Sequence, residues 1–494
     1  MKQNEKTVPK PIYDELLFVN EQLKIEIAQL RRMIYGQKSE RFVPVPENQI
    51  PFPGFETSSR KPVKTETIKS YNRKKREKAK AAPHGRKPLP AHLPRIEKVI
   101  EPEEDVSGCK RIGQEVTETL EYKKAELYVL CTIRPKYARP DGDGVAIADL
   151  PSLPVPKCQA GASLLSHILV SKYVDHIPFY RLRQQFKRTA KVNIPASTLD
   201  GWFKASSELV APLGLLMRQI IVQSTYLQVD ETPLKVQDPT VKGKCHTGFM
   251  WPYLDPVQGI CVFDYQPTRS RAGPVSMLEN FSGALQADGY NAYDHFEHRS
   301  GITLLGCFAH ARRYFEKALN QDEERATWML TAIQKLYQLE KEARNAGLLF
   351  ADRYQLRQKN AVPILYEIKQ WLDQTVTRVL PASLIGKAVN YTIGMWPRLE
   401  RYVTDGRFEI DNNLIENAIR PIALGRKNYL FSGSHEAAQR AALVYSLMAT
   451  AKYHEVDPSE YLESIIKNIS DYPWKQLADL LPQNWKIKFK TAAL

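Results

Sequence analysis

Tyr226-Leu227-Gln228-Val229-Asp230-Glu231-Thr232 reads as a short strand that ends in an acid. Two more strands follow it, Gly248-Phe249-Met250-Trp251-Pro252-Tyr253-Leu254 and Gly259-Ile260-Cys261-Val262-Phe263-Asp264-Tyr265, separated by a turn. A helical stretch near Val275–Asn280 comes next. Ala284-Leu285-Gln286-Ala287-Asp288-Gly289-Tyr290 is a fourth strand, again ending in Asp, and Ile302-Thr303-Leu304-Leu305-Gly306-Cys307-Phe308 is a fifth. Short apolar runs rich in β-branched and aromatic residues, broken by Gly and Pro, are the signal used throughout.

That order of strands and helices is the order of a ribonuclease-H-like α/β fold. In such a sheet the first and fourth strands are neighbours, so Asp230 and Asp288 would sit side by side. From Ala311 to about Arg401 the pattern is helical with no strand signal. Asp411-Asn412-Asn413-Leu414-Ile415-Glu416-Asn417-Ala418-Ile419-Arg420-Pro421 then reads as a capped helix, with Asp411 as N-cap and Pro421 ending or kinking it. Leu414, Ile415, Ala418 and Ile419 share one face at 100° per residue, and Glu416 points elsewhere. Three converging carboxylates would repel one another unless cations neutralised them. Mg²⁺ is hard and takes oxygen ligands. Two such ions would activate an attacking hydroxyl and stabilise a leaving oxygen in phosphodiester chemistry. Taken singly, each acid could equally be a strand-end or capping carboxylate.

Outward from this core, charge dominates. The chain has 494 residues and a net charge of +15. Fourteen basic residues against three acids fall between Arg60 and Lys98, Arg73, Lys74, Lys75, Arg76, Arg86 and Lys87 among them. This arm has few large apolar residues, so it cannot build a core and is expected to be disordered alone. Contact with nucleic-acid phosphate, salt-sensitive and blind to sequence, is the expected use; a solvated linker is the alternative. Before it, Leu16, Leu23 and Leu30 alternate with Asn20, Ile27 and Ile34 in an a/d heptad seam over residues 12–42. The seam predicts a self-associating coiled coil, with docking on its own chain as the alternative. Residues 96–150 look β-rich, with strands at Glu118–Tyr122 and Leu127–Ile133 and a turn at 139–144.

Residues 162–210 turn helical. A helix from Pro178 to Lys187, a break at Thr189–Asn193 and a second helix opened by Pro195-Ala196-Ser197-Thr198 suggest a helix-turn-helix, or else a plain helical hairpin. Arg183, Lys187 and Arg188 beside it suit phosphate contacts. The expected domains are therefore 1–45 (coiled-coil dimerisation helix), 46–98 (basic linker), 99–150 (small β domain), 151–215 (DNA-binding helices), 216–440 (catalytic domain with a helical insertion about 311–405) and 441–494 (C-terminal helices). No apolar run approaches the length of a membrane span. MKQNEKTVPK at the start has no signal-peptide core. The six cysteines form no CxxC pair. A reducing cytoplasm, in association with the nucleoid, is the expected location.

The segments Asp230-Glu231-Thr232-Pro233, Ala287-Asp288-Gly289-Tyr290, Cys307-Phe308-Ala309-His310-Ala311-Arg312-Arg313 and Ile410 to Pro421 resemble the transposases of insertion-sequence family sixty-six. Gly425-Arg426-Lys427-Asn428-Tyr429, Gly433-Ser434-His435, Gly36–Arg41 and His84–Pro90 extend the resemblance over nearly the whole chain. The resemblance implies a DDE transposase whose catalytic and metal-binding triad is Asp230, Asp288 and Glu416. It implies two Mg²⁺ ions, with Mn²⁺ as a substitute. The implied partners are the element's terminal repeats and target DNA, a second copy of the chain at least, and accessory proteins encoded by the same element. Many members carry a zinc domain with two CxxC pairs near residues 105–145; here only Cys109 and Cys131 are present, so no zinc is expected. His310, Arg312 and Arg313 could touch phosphates or order the catalytic centre, and Arg420, Arg426 and Lys427 could hold the scissile strand. Trp371 and Trp396 are expected to be core residues rather than base-stacking platforms. Two alternatives remain: a non-catalytic DNA-binding protein derived from a transposase, and a nuclease that cuts without joining.

Overall fold

The computed structural model describes residues 127–130, 136–138, 145–147, 153–155, 158–237 and 243–490. The heptad helix, the basic arm with Arg73, Lys74, Lys75, Arg76, Arg86 and Lys87, the strand expected at Glu118–Tyr122, and Cys109 and Cys131 lie outside the described residues. The fold is mixed α/β, with a helical majority around one mixed sheet.

The first elements are a short antiparallel ribbon, β1 (Lys136–Ala138) with β2 (Val145–Ile147). Residues 127–130 are not strand, contrary to the reading of Leu127–Ile133. Tyr128, Val129 and Leu130 are exposed, so apolar alternation there has no face to bury.

The main sheet holds β3 (Tyr226–Val229), β4 (Thr232–Gln237), β5 (Cys245–Asp255), β6 (Ile260–Gln266), β7 (Gly283–Gln286) and β8 (Ile302–Leu305). Long β5 pairs antiparallel with β6 on one edge and with both β3 and β4 on the other. Its register on the two is continuous: Gln228 faces Leu254 and Thr232 faces Met250. Asp230 and Glu231 therefore interrupt one long strand line rather than end it. β4 was not expected, since the sequence reading ends the first strand at Thr232. Its Pro233 is tolerated because, among the described residues, no strand flanks β4 on its other side, and that edge is met by a bridge from Val236 to Ser432. Beyond β3, β7 and β8 run parallel to it and to each other.

Helices cover both faces. On one side lie α1 (Ala162–Tyr173), α2 (Phe179–Ala190) and α3 (Ala196–Val222). Helix α3 is long and apolar enough to cross a membrane, a length the sequence reading did not anticipate. Its Leu199, Phe203, Val210, Leu213, Met217 and Ile221 are buried, and it packs on β6 and on the later helix His435–Tyr453. α4 (Ala272–Met277) follows β6. After β8 the chain runs through α5 (Phe308–Ala318), α6 (Glu323–Asn345), α7 (Phe350–Leu356), α8 (Val362–Thr375) and α9 (Leu384–Leu399). These helices form a second apolar core with Tyr226, Ala284 and Leu305 from the sheet. Trp396 is buried there, and Trp371 stacks face to face on Trp328 with centroids 4.7 Å apart.

The insertion hands the chain back through a buried ion cluster. Arg357, 1 % exposed, pairs with Glu340 and donates to the carbonyls of Tyr402, Asp405 and Phe408 at 2.7–2.8 Å. Arg353 bridges Glu340 and Glu409. These bonds fix the segment that leads into α10 (Asn413–Tyr429). Pro421 does not end α10, which continues for eight residues beyond it. Buried Ile415, Ile419 and Ile422 hold that helix on the sheet through and past the proline. α11 (His435–Tyr453) then covers the edge strand β6, where Ser446 and Thr450 hydroxyls accept the N–H groups of Phe263 and Cys261 at 2.8 and 3.0 Å. An otherwise open sheet edge is closed in this way. α12 (Pro458–Asn468) and α13 (Pro482–Trp485) complete the fold.

Candidate active site

Register decides where the acids meet. In the parallel pair β3/β7, Tyr226 faces Ala284, Leu227 faces Leu285 and Gln228 faces Gln286. Continued two residues further, that offset sets Asp230 level with Asp288 on the adjoining strand line. Both are half-buried and reached by solvent. Asp230 accepts the Glu231 N–H at 2.7 Å, and Asp288 accepts the Tyr290 N–H at 2.9 Å. Gly289 between them turns at φ +92°, where a side chain would also press on Met395. Tyr391 donates to the Asp288 carbonyl at 3.0 Å and so ties this turn to the insertion.

Glu416 arrives on the first turn of α10, whose start is pinned to the strands by buried amides. Gln228 Nε2 donates to the Asp411 carbonyl at 2.9 Å and to Gln286 Oε1 at 3.0 Å, and its Oε1 accepts the Ile415 N–H at 3.3 Å. Asn412 Nδ2 donates to the Val229 carbonyl at 3.1 Å. Gln286 Nε2 donates to the carbonyls of Gly306 and Glu409. Asp411 receives the N–H of Asn413 at 3.0 Å, but its other oxygen is held by Tyr337, and the residue flanking the helix is Asn412. Sequence reasoning missed Gln228 and Gln286. The signal was present: Gln-x-Asp occurs twice, at 228–230 and 286–288, with an amide inside each apolar strand.

The electrostatics follow from this crowding. Burial pushes the Asp230 carboxyl up to about 8, and Asp288, Glu231 and Glu416 push the same way. Burial also raises Glu231, but Arg269 opposes it with Nε 3.0 Å from Oε1. The Arg269 guanidinium lies 4.0 Å over the Tyr290 ring. Glu416 is itself neutralised: Arg313 donates to both of its oxygens, at 3.1 and 2.9 Å, and also approaches His310 Nε2 at 3.2 Å. Among the described residues, no three His, Cys, Asp or Glu side chains lie close enough to hold one metal ion. The donor set is nonetheless all carboxylate oxygen, with mutual repulsion that a hard dication would relieve. Asp230 and Asp288 fit such an ion, whereas Glu416 is held by Arg313.

The expected DNA contacts divide. Arg312 is buried at 3 % exposure with Glu316 3.5 Å away, so it cannot reach a phosphate outside. Arg313 serves Glu416. Arg183 spends its Nε on the Ile194 carbonyl at 2.6 Å and braces the turn between α2 and α3. Arg426 donates to Thr232 Oγ1 and the Pro233 carbonyl, tying α10 to β4. Lys187, Arg188, Arg420 and Lys427 are exposed. Arg181 reaches Asn428 at 3.5 Å, so α2 meets the last turns of α10.

Residues 157–440 match the model of the Transposase IS66 family. Residues 22–97 match the model described as Transposase C of IS166 homeodomain, a stretch outside the described residues. Uncharacterized protein y4qI of Sinorhizobium fredii (strain NBRC 101917 / NGR234) is 31% identical over 502 residues, covering 97% of this chain and 91% of that protein. Uncharacterized protein y4jD of the same strain is 30% identical over 486 residues, covering 94% of each. With more than half of its length in the family match, on the stretch that carries Asp230, Asp288 and Glu416, the chain belongs to the IS66 transposase family.

Proposed function

We propose that the chain is a DDE transposase that cuts DNA at the terminal repeats of its own insertion sequence and joins the freed ends to target DNA. The observation that carries this is the alignment of Asp230 with Asp288 on adjacent parallel strands, with Glu416 near enough to raise Asp230 further. The strand order, three antiparallel then two parallel, supports a ribonuclease-H-like arrangement of the catalytic domain. Asp230 and Asp288 would hold Mg²⁺, or Mn²⁺ in its place, and Glu416 would complete the set on leaving Arg313. Such ions supply an activated hydroxyl and charge neutralisation at the leaving oxygen. The protein's own part is positional. Rigid strands fix two carboxylates, and the Gln228–Gln286 amides fix the third on α10. Exposed Lys187, Arg188, Arg420 and Lys427 would hold the backbone of the strand. A dimer of this chain, joined by accessory proteins of the same element, would pair the two ends.

The test is a cleavage assay in Mg²⁺ on DNA bearing the element's terminal repeats, with Asp230→Asn alongside. Nicks at the element boundary by the wild type alone are expected, with DNA binding by the variant retained or tightened because a negative charge is gone. Normal cleavage by Asp230→Asn would show that the triad assignment is wrong. One observation favours the non-catalytic reading: Glu416 is bound by Arg313 rather than grouped with the two aspartates. On that reading both proteins bind ends and neither cuts, even with the neighbouring gene products added.

A further inference from the structure

Away from the acids, a cavity of about 250 Å³ opens where α1, α2, α3, α10 and α11 meet. That is below the roughly 300–1,000 Å³ of pockets for drug-sized ligands, so it admits a small group and not a duplex. Two cations line it, Lys172 and Arg440, against one acid, Asp200. Lys172 Nζ stands 3.8 Å over the Phe179 ring, 5.6 Å from Phe203 and 5.5 Å from Tyr429. Aromatic faces attract an ammonium but accept no conventional hydrogen bond, so its three donors are left for another group. Burial lowers the Lys172 ammonium to about 8, with Asp200 opposing. Arg440 lies 6.0 Å over Phe203, and its Nε is buried with no hydrogen-bond partner among the described residues. The amino end of α11, capped by Ser434, opens into the same space.

The buried Lys172 ammonium and the buried Arg440 Nε both have donors to spare, with Asp200 and Glu436 offsetting part of their charge, and a compact anion carrying several acceptors, such as a phosphate, suits them. The mouth says what the phosphate is attached to. Phe431 at the rim is 42% exposed and its neighbour Leu430 65%, both apolar and in water. A flat, exposed ring beside a phosphate cradle suits an unpaired base, because stacking is indifferent to sequence. The cavity shares a helix with the acids: Tyr429, on its wall, is thirteen residues along α10 from Glu416, about 20 Å at 1.5 Å per residue.

We propose that this cavity captures one unpaired nucleotide of the DNA strand being processed, its phosphate between Lys172 and Arg440 and its base on Phe431. The inference deepens the transposase reading and rests on it. A melted nucleotide so held would keep the strand unpaired some distance from the acids, in the way that enzymes acting on extruded bases hold them out of the stack.

The experiment measures binding of a short mixed-sequence single strand and of a blunt duplex of equal length to the full chain. It compares wild type with Lys172→Met, Arg440→Gln and Phe431→Ala. Each substitution is expected to weaken single-strand binding about tenfold, the scale of one stacked base or one charged hydrogen bond. Duplex binding should stay within about twofold, since the exposed basic residues carry it. Phe431→Ala alters an exposed ring and keeps the test valid if the cavity variants misfold. Unchanged single-strand binding, or equal losses on strand and duplex, would overturn the proposal. Inorganic phosphate or a mononucleotide binding as tightly as the strand would overturn it in favour of a free small anion. The readout does not involve cleavage, so failure here and failure of Asp230→Asn to abolish nicking are separate results.

Discussion

At the residue scale, Arg313 is the side chain with the most consequence for the acids. Its two bonds hold Glu416 in an ion pair, while that carboxylate still pushes Asp230 upward. The same bonds compete with any cation for that carboxylate. Arg313→Ala is therefore expected to tighten divalent-ion binding several-fold, read by Mn²⁺ electron paramagnetic resonance titration, whereas Glu416→Gln should weaken it. Equal Mn²⁺ affinity in wild type and Arg313→Ala would show that Glu416 is not a ligand. Lys172 gives a pH prediction with a defined sign. Its folded value, about 8, lies below the ordinary lysine value, so the charged form is disfavoured by folding. Below pH 8 the fold carries the full penalty. Between pH 8 and the ordinary lysine range near ~10.4 the unfolded chain binds more protons, and stability recovers as pH rises. Asp200 offsets part of this. Lys172→Met should thus raise the melting temperature at pH 7, with a gain that shrinks towards pH 10. A gain independent of pH would locate the effect in packing instead.

At the scale of elements, the sheet is largely legible from sequence and the polar supports are not. β3, β5, β6, β7 and β8 are legible as short, mostly apolar stretches, although β3 and β7 each carry a Gln and β5 carries Pro252. β4, with Pro233 on its edge, is not apparent from the sequence. The two aspartates are legible as acids after apolar runs, and Glu416 as an acid off the apolar face of a helix. That Arg313 holds Glu416, or that Arg312 is buried, is not legible, since adjacent residues on α5 point to different neighbours. Nor does Pro421 reveal that packing by Ile419 and Ile422 carries α10 through it. The amide network is the element-scale device with a measurable weight. Gln228→Leu would leave the Asp411 carbonyl, Gln286 Oε1 and the Ile415 N–H without this partner. Each orphaned buried group costs about 1–3 kcal/mol, so a fall in melting temperature of several degrees is expected. Cleavage should fall further than stability does, because α10 would no longer be pinned to β3. A variant with full activity and a lowered melting temperature would reduce Gln228 to a core residue.

At the scale of the whole molecule, charge and fold answer different needs. The acids form an electronegative centre that a DNA backbone would avoid without cations and without positive surface around it. Lys187, Arg188, Arg420 and Lys427 are exposed, but most of the chain's excess positive charge falls between Arg60 and Lys98. If that arm neutralises phosphates, each contact contributes about 0.9 to the slope of log affinity against log salt on duplex DNA. Deleting residues 60–98 should then weaken binding to every DNA sequence alike and flatten the salt dependence by several such increments. Preference for the terminal repeats over random duplex should survive the deletion, because sequence is read by base contacts and not by phosphate contacts. Fluorescence anisotropy across a salt series, on repeat and random duplexes, measures slope and preference together. An unchanged slope would show that the arm is only a linker. A lost preference would assign sequence recognition to the arm itself.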